Sequence, residues 1–236
     1  MPNTDYLRYL EELRQIPTLS GFENAGQKEV QQLLAPLFDE SRPAGVSGLL
    51  FTKKCGRENA PVLLIDAHLD EIGLIVTDLK DDGTLTVSSL GGMDARPYTA
   101  SSYTIHGKEN MPALSLKKPY CLGGPEARKL PKNGEFWIFT GFSKEELTQK
   151  GVAVGTPVSM ERSTESLSEE QLCGAYMDDK SCAVAALIAL EELKGKDLSC
   201  DICLLLSGQE ESYGAGFRTG VFDACPDEIL VVDVDL

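Results

Sequence analysis

Hydrophobic residues at the start of the chain follow the period of an α-helix. Apolar side chains in the segment 6–13 recur at helical spacing, and the pattern stops before Pro17. Residues 30–38 predict a second short helix that is interrupted or ended near Pro36, because proline breaks the helical hydrogen-bond pattern. Two helices are therefore expected before the first strand.

Residues 61–68 form a nearly continuous apolar run, which is typical of a strand that is buried on both faces. Residues 201–207 and 228–234 predict two more apolar strands of this kind. The Ala- and Leu-rich segment 181–193 predicts a helix, and a further helix is expected near 214–220. Such strands belong to sheets that are flanked by helices, so both ends of the chain predict an α/β fold.

The middle of the chain has a different pattern. Between residues 72 and 160, short apolar runs are broken by glycine, which predicts strands joined by turns, and residues 144–150 predict one short helix. We therefore expect one α/β domain made of residues 1–71 and 161–236, with a small β-rich domain, residues 72–160, inserted into it.

The charge balance narrows the classes of partner. The 236 residues include 22 Lys and Arg against 37 Asp and Glu, which gives a net charge of −15. An acidic surface repels phosphate, so DNA, RNA and anionic membranes are not expected partners. No stretch approaches the roughly 18 to 20 apolar residues of a membrane span, and the first residues contain acids and bases where a signal peptide has an apolar core. We expect a cytoplasmic globular protein.

The seven cysteines are scattered among mostly apolar neighbours, which predicts free, buried thiols in a reducing compartment. Cys200 and Cys203 form a C-x-x-C motif, but residues three apart on a strand point to opposite faces. No second cysteine pair completes a zinc site. A redox or structural zinc motif is therefore disfavoured.

Acidic residues and a histidine stand where predicted strands end and where a helix begins. The positions are His68-Leu69-Asp70-Glu71 after the first buried strand, Asp178-Asp179 before the Ala-rich helix, Glu210-Glu211 after the strand 201–207, and Asp233, with Asp235 two residues on, at the end of the last strand. Ligands of open α/β sheets gather beyond the carboxyl ends of the strands. One imidazole and several carboxylates that converge there suit a divalent metal such as Zn²⁺, Co²⁺ or Mn²⁺.

Each position also has an ordinary structural interpretation. Asp178 and Asp179 could cap the following helix, Glu210 and Glu211 could lie in a solvated loop, and a single histidine is often only hydrogen-bonded. Asp233 is harder to explain in this way, because a carboxylate in an apolar strand is costly unless it is paired or binds a metal. The four positions together favour a metal site.

These motifs, in this order, resemble the zinc-peptidase superfamily of co-catalytic aminopeptidases. The resemblance rests on His-x-Asp at 68–70, Gly174-x-x-x-Asp178-Asp179, Glu210-Glu211 and Asp233. The long β-rich stretch between His68 and Asp178 is similar to the TET-type branch, which includes glutamyl and deblocking aminopeptidases. The segments AHLDEIG, GVAVGTPV and PDEILVVDV are further local matches. The resemblance implies an α/β fold with a mixed sheet and an inserted β-rich domain that serves dimerisation.

The family resemblance also implies a site with two divalent metal ions, zinc or cobalt first and manganese as an alternative. His68 would bind one metal, Asp178 would bridge both, Glu211 would hold the metal that His68 does not bind, and Asp233 would be the other terminal carboxylate. Peptides would be the substrates, and the chain would self-associate, from a dimer up to a dodecamer.

Two further residues receive catalytic roles from the same resemblance. Asp70 would orient the imidazole of His68, and Glu210 would be the general base that deprotonates the metal-bridged water. The implied function is a metallo-aminopeptidase that hydrolyses N-terminal residues from peptides.

The sequence departs from the family at several points. The family has a last metal-binding histidine near its C-terminus, whereas this chain ends at Leu236, so we expect a truncated chain. His106, the only other histidine, matches no ligand motif and is expected to be structural or exposed. Lys180 stands where the family commonly has arginine.

The missing histidine leaves two alternative functions open. One is a catalytically inactive metal-binding or oligomerisation fragment, although an intact Glu210 argues against long-standing loss of activity. The other is a deacylase or a relative described as an endoglucanase. A pair of carboxylates could serve a glycosidase, but the histidine and the additional acids would then have no role.

Overall fold

The computed structural model describes residues 4–94, 98, 100–116, 137–168 and 171–234. The chain divides into two compact units: one holds the residues up to Glu71 together with those from Arg162 onward, and the other holds Ile72–Glu161. Within the described ranges, no helix is long and apolar enough to cross a membrane.

The helices and strands follow in chain order. The helices are α1 (Thr4–Gln15), α2 (Gln27–Leu34), α3 (Lys144–Gln149), α4 (Lys180–Glu192) and α5 (Ala215–Ala224), with short 3₁₀ turns at Glu23–Ala25 and Ala35–Leu37. The strands are β1 (Glu40–Ala44), β2 (Gly48–Lys53), β3 (Val62–His68), β4 (Gly73–Leu79), β5 (Leu85–Leu90), β6 (Ser102–His106), β7 (Asn110–Leu116), β8 (Trp137–Phe139), β9 (Pro157–Met160), β10 (Thr164–Ser166), β11 (Leu172–Gly174), β12 (Asp201–Ser207) and β13 (Glu228–Val231).

The first unit is built on a mixed sheet with the strand order β1-β2-β12-β3-β13. Strands β12, β3 and β13 run parallel, whereas β2 is antiparallel to β12 and β1 is antiparallel to β2. The parallel strands bring their carboxyl ends to one edge of the sheet, with Ser207 beside His68 and Val231 beside Asp66. This edge carries the candidate site.

Both faces of the sheet bury apolar side chains against helices. On one face, Ile65 and Ala67 of β3 belong to a cluster with residues of α1, α2 and α4. On the other face, Leu64 packs in a cluster with Phe217 and Val221 of α5. Alternate residues of one strand thus enter two different cores, which explains the nearly continuous apolar run and confirms the predicted α/β fold with a mixed sheet.

The last strand differs from its prediction. The sequence predicts a buried strand over residues 228–234, but β13 ends at Val231, and all four of its residues are exposed. Among the strands that the structure describes, it pairs with β3 alone and lies at the edge of the sheet. Its apolar composition matches that of a central strand, although its position is at an edge.

The second unit contains a closed six-stranded barrel with the strand order β4-β5-β8-β7-β6-β9. Buried residues such as Val76, Ile105, Ile138 and Val158 fill its core. Helix α3 begins with a capping box, in which the Ser143 and Glu146 side chains each bond to the other residue's main-chain N–H. The short strands and the short helix expected from the sequence are therefore present, and the strands close into a barrel.

Candidate metal centre

His68 is the last residue of β3, and its side chain is only 3% exposed. Its Nδ1 lies 2.9 Å from the carbonyl oxygen of Asp70, to which it can donate a hydrogen bond. Its Nε2 lies 3.0 Å from Asp178 Oδ1 and 3.9 Å from Glu210 Oε2. A histidine that donates through Nδ1 keeps Nε2 available for a metal ion.

The surroundings of His68 favour positive charge. Burial alone would lower the pKa of this imidazole, but Asp70, Asp179 and Asp178 together raise it to about 10. The electrostatic potential around the imidazole is thus negative because several carboxylates lie close to it. A cation at this place would be stabilised in the same way as the proton.

Three of the four predicted metal ligands lie together. One ligand atom each from His68, Asp178 and Asp233 lies within 4.8 Å of the other two. They come from the end of β3, the segment before α4 and the segment after β13, which meet at the carboxyl edge of the sheet. One imidazole and two carboxylates form a donor set that suits Zn²⁺ or a similar divalent ion.

Asp233 lies in this group, but the prediction that it is buried in a strand is wrong. The sequence predicts a side chain buried in an apolar strand, whereas Asp233 lies two residues beyond β13 and is exposed. The cost of burial therefore explains nothing about it. Its proximity to His68 and Asp178 is what makes it a candidate ligand. Asp235 lies outside the described residues.

Asp70 connects two loops of the candidate centre. Its fully buried carboxylate accepts hydrogen bonds from the backbone N–H groups of Glu210 at 2.8 Å and Glu211 at 3.1 Å. Asp70 Oδ1 is also 3.6 Å from His68 Nδ1. One side chain thus fixes the segment after β12 relative to the segment after β3.

Glu210 and Glu211 both have a raised pKa. Burial is the main cause for each; the charge of Asp178 adds to it for Glu211, whose pKa rises to about 7. Glu211, the fourth predicted ligand, is not in the group of three, and its backbone N–H is what ties it to the site through Asp70. A divalent cation among these carboxylates would lower both pKa values.

Sequence reasoning missed a second layer of buried acid. Both carboxylate oxygens of Asp179 and Oδ1 of Asp66 are buried and have no hydrogen-bond partner among the described residues, while Ser207 Oγ lies 3.3 Å from Asp66 Oδ2. Burial raises the pKa of Asp66 to about 7 and that of Asp179 to about 6. An aspartate inside the apolar run of β3 was the available signal, because such burial is costly.

Asp179 also bears on the helix-capping interpretation of the Asp178-Asp179 pair. It occupies the N-cap position of α4, yet its side chain makes no capping hydrogen bond. Helix capping by this side chain therefore does not explain the pair. Unpartnered buried carboxylate oxygens beside His68 and Asp178 fit a site that binds a cation.

His106 lies apart from this group, whereas Cys182 lies beside Asp179, and burial together with the charges of Asp179 and Asp233 raises the pKa of its thiol to about 12. His106 is in the barrel, with Nδ1 3.0 Å from Asn110 Oδ1 and Nε2 2.9 Å from Ser159 Oγ, as a structural role predicts. All cysteines of the described ranges are free. The expectation that they are buried is confirmed only for Cys203 among the described cysteines, since Cys55, Cys182 and Cys200 are half-buried. It is wrong for Cys173 and Cys225, which are exposed on short or terminal elements where apolar neighbours in sequence do not cover them. Cys121 lies outside the described residues.

Known proteins resemble this chain in sequence. The family model of the M42 glutamyl aminopeptidases matches residues 48–236. The glutamyl aminopeptidase of Lactococcus lactis subsp. cremoris (strain MG1363) is 27% identical over 228 residues, which cover 94% of this chain and 64% of that protein. The chain thus spans slightly less than two thirds of this relative's length.

Solved structures share the fold. Aminopeptidase APDkam598 from the archaeon Desulfurococcus kamchatkensis is 28% identical with a TM-score of 0.88, and the match covers 98% of this chain and 63% of that one. The TET1 peptidase of Pyrococcus horikoshii, whose structure is described as assembling into a tetrahedron or a large octahedral shell, is 22% identical with a TM-score of 0.82 over 97% of this chain and 68% of that one. The match to the family model confirms the family that the sequence motifs predicted. The chain belongs to the M42 glutamyl aminopeptidase family.

Proposed function

We propose that this protein is a metal-dependent aminopeptidase that removes N-terminal residues from peptides. His68, Asp178, Glu211 and Asp233 would hold two divalent cations, zinc or cobalt first and manganese as an alternative. The observation that carries the proposal is the convergence of His68, Asp178 and Asp233 within 4.8 Å, from three separate segments of the chain. Membership of a family of aminopeptidases supports the same reaction.

When bound, the cations would lower the pKa of a water molecule towards neutrality and polarise the scissile carbonyl. Glu210 would be the residue that carries the proton from the attacking water. Its Oε2 lies 3.9 Å from His68 Nε2, its side chain is 45% exposed, and its backbone is held by Asp70. It would accept a proton from the attacking water and donate it to the nitrogen of the leaving peptide.

The charges at the mouth of the site favour a substrate with a free amino terminus. Asp178 and Asp233 are both exposed, and they present carboxylates on the side open to solvent. With cations held by these carboxylates, a neutral α-amino group could bind a cation through its nitrogen lone pair, whereas an acetylated nitrogen could not. This preference would make the enzyme an aminopeptidase.

The substrate preference can be tested with aminoacyl-p-nitroanilides in the presence of Co²⁺ or Zn²⁺. We expect hydrolysis of at least one free-amine substrate and a loss of at least about 100-fold for its N-acetylated counterpart, since a site that binds a polar group of the substrate rejects analogues lacking it by up to about 10⁴- to 10⁵-fold. Equal release of p-nitroaniline from both would contradict aminopeptidase activity, and release of acetate without p-nitroaniline from the acetylated substrate would favour a deacylase. Metal binding without hydrolysis of any substrate would favour the inactive metal-binding alternative.

We propose further that the barrel unit mediates self-association, to a dimer or a larger assembly. Three large apolar side chains, Leu114, Trp137 and Phe139, are between 42% and 51% exposed on the neighbouring strands β7 and β8, where Leu114 pairs directly with Phe139. Contiguous apolar patches on a surface often mark protein interfaces. The assembly described for the P. horikoshii relative supports this proposal.

Replacing Phe139 with Asp is expected to reduce the oligomeric mass, because it places a charge in the apolar patch. Sedimentation velocity measures the mass directly. The matched control is Phe222→Asp, which alters an 81% exposed phenylalanine on α5 of the other unit and should leave the assembly unchanged. An unchanged mass for Phe139→Asp would place the interface elsewhere.

The cytoplasm is the compartment that we propose. The free cysteines of the described ranges support it, because a reducing compartment keeps thiols unpaired.

A further inference from the structure

Behind the candidate metal centre, two cations pair with a single buried carboxylate and a third cation lies nearby. Glu71 and Arg14 are fully buried, and Lys180 is 1% exposed. Lys180 Nζ donates to Glu71 Oε2 at 2.5 Å, and Arg162 donates to both oxygens of the same carboxylate. We call Glu71, Lys180, Arg162 and Arg14 the buried ion cluster.

The buried ion cluster joins the two segments that carry His68 and Asp178. Glu71 follows Asp70 directly and is three residues beyond His68, whereas Lys180 is two residues beyond Asp178. The ion pair between Glu71 and Lys180 therefore links the end of β3 to the start of α4.

The main chain around Glu71 is fixed as well. Its N–H donates to Thr18 O at 3.1 Å, and its carbonyl oxygen accepts from Ser20 N at 3.0 Å. Lys180 Nζ also donates to Ile16 O at 3.0 Å. Both segments are thereby held against the same stretch of chain after α1.

The other two cations hold the loop that leads to Asp178. Arg14 Nε donates to Ala175 O at 2.6 Å, and the Arg162 guanidinium lies 4.2 Å from the centre of the Tyr176 ring. Arg162 Nη1 also donates to Arg14 O at 2.6 Å. Every residue of the buried ion cluster thus contacts a segment that carries a candidate ligand, or contacts another member of the cluster.

Stability alone gives a weak reason for such a cluster. Burying charges costs desolvation free energy, and replacement of a buried ion pair by apolar side chains is often neutral or stabilising. What ion pairs and directed hydrogen bonds do supply is a defined geometry. Here they hold two segments of the chain in a fixed arrangement, and these segments place His68 Nε2 3.0 Å from Asp178 Oδ1.

We propose that Glu71 and Lys180 are positioning residues of the metal centre, which set the separation of His68 and Asp178 and thereby the affinity for a divalent cation. This inference rests on the proposed function. Residues that orient metal ligands from behind typically change metal affinity by 10- to 100-fold when they are replaced.

The test is a calorimetric titration of the whole chain with Co²⁺, together with the visible absorption spectrum of the bound ion. Lys180→Met, which keeps the length of the side chain but removes its charge, should bind Co²⁺ at least about tenfold more weakly and change the spectrum at saturation. The control is Phe51→Leu, which destabilises the same unit at a buried position of β2. It should lower the melting temperature but keep the affinity and the spectrum.

Lys180→Met leaves Glu71 without one of its ion-pair partners and could fail to fold. The milder variant Lys180→Gln removes the charge but keeps an N–H donor, and Arg162 still pairs with Glu71, so this variant should fold and still show weak Co²⁺ binding. Wild-type affinity and spectrum in either folded variant would overturn the inference. Absence of Co²⁺ binding by the wild-type chain would instead overturn the proposed function, and this inference with it.

Discussion

Glu210→Gln is expected to lower kcat for aminoacyl-p-nitroanilides by about 10²- to 10⁴-fold while the metal content stays the same. The amide has nearly the shape of the carboxylate but cannot accept the proton of the attacking water. The backbone N–H of residue 210 would still donate to Asp70, so the loop that carries it should keep its place.

The control for this variant is Glu145→Gln, which alters an exposed glutamate of α3 in the barrel unit. It should leave both kcat and metal content unchanged. A loss of metal in Glu210→Gln as large as its loss of activity would contradict the assignment, because Glu210 would then be a ligand and the proton carrier would have to be another residue.

Asp178→Asn is expected to reduce the metal content from two ions per chain to one or none. Asp178 Oδ1 is 3.0 Å from His68 Nε2, and the carboxylate also lies close to Asp233. A residue that bridges two cations needs two anionic oxygens, whereas an asparagine offers one neutral oxygen. The change therefore weakens both positions at once.

Elemental analysis after loading and dialysis measures this loss. Asp81→Asn, at an almost fully exposed position in the barrel unit, is the matched control and should leave the metal content unchanged. If Asp178→Asn retained two ions per chain, Asp178 would not be a bridging ligand.

Much of the sheet could be predicted from the sequence because strands that are covered on both faces are rich in apolar residues. The run 62–68 has apolar residues on both faces, which only a helix-covered strand requires. Strand β13 shows the limit of such predictions, since Ile229, Leu230 and Val231 have the same composition and yet are exposed. Local composition does not record how many neighbours a strand will have.

The barrel shows a second limit. Its short strands were predictable, but closure depends on β9, which pairs with both β4 and β6. Leu74 and Val158, partners in this pairing, are far apart in sequence, and no local pattern specifies that they meet. The sequence therefore predicted a β-rich region without predicting that it closes.

For the site, the sequence could identify the residue types but not the environments. His68, Asp178 and Asp233 were predictable from their order along the chain and from their positions at strand and helix ends. The orphan oxygens of Asp66 and Asp179 were not, because they depend on what packs around them in three dimensions. The cations that pair with Glu71 come from the segment before β10 and from α4, so their convergence could not be predicted from local sequence either.

The most direct test of the proposed centre is the metal content of the wild-type chain. The protein is loaded with Zn²⁺ or Co²⁺, dialysed and analysed for bound metal, alongside His68→Ala. The proposed centre predicts close to two ions per wild-type chain and a clear loss in His68→Ala. A wild-type chain that retains no divalent metal, or that retains the same amount as His68→Ala, would contradict it.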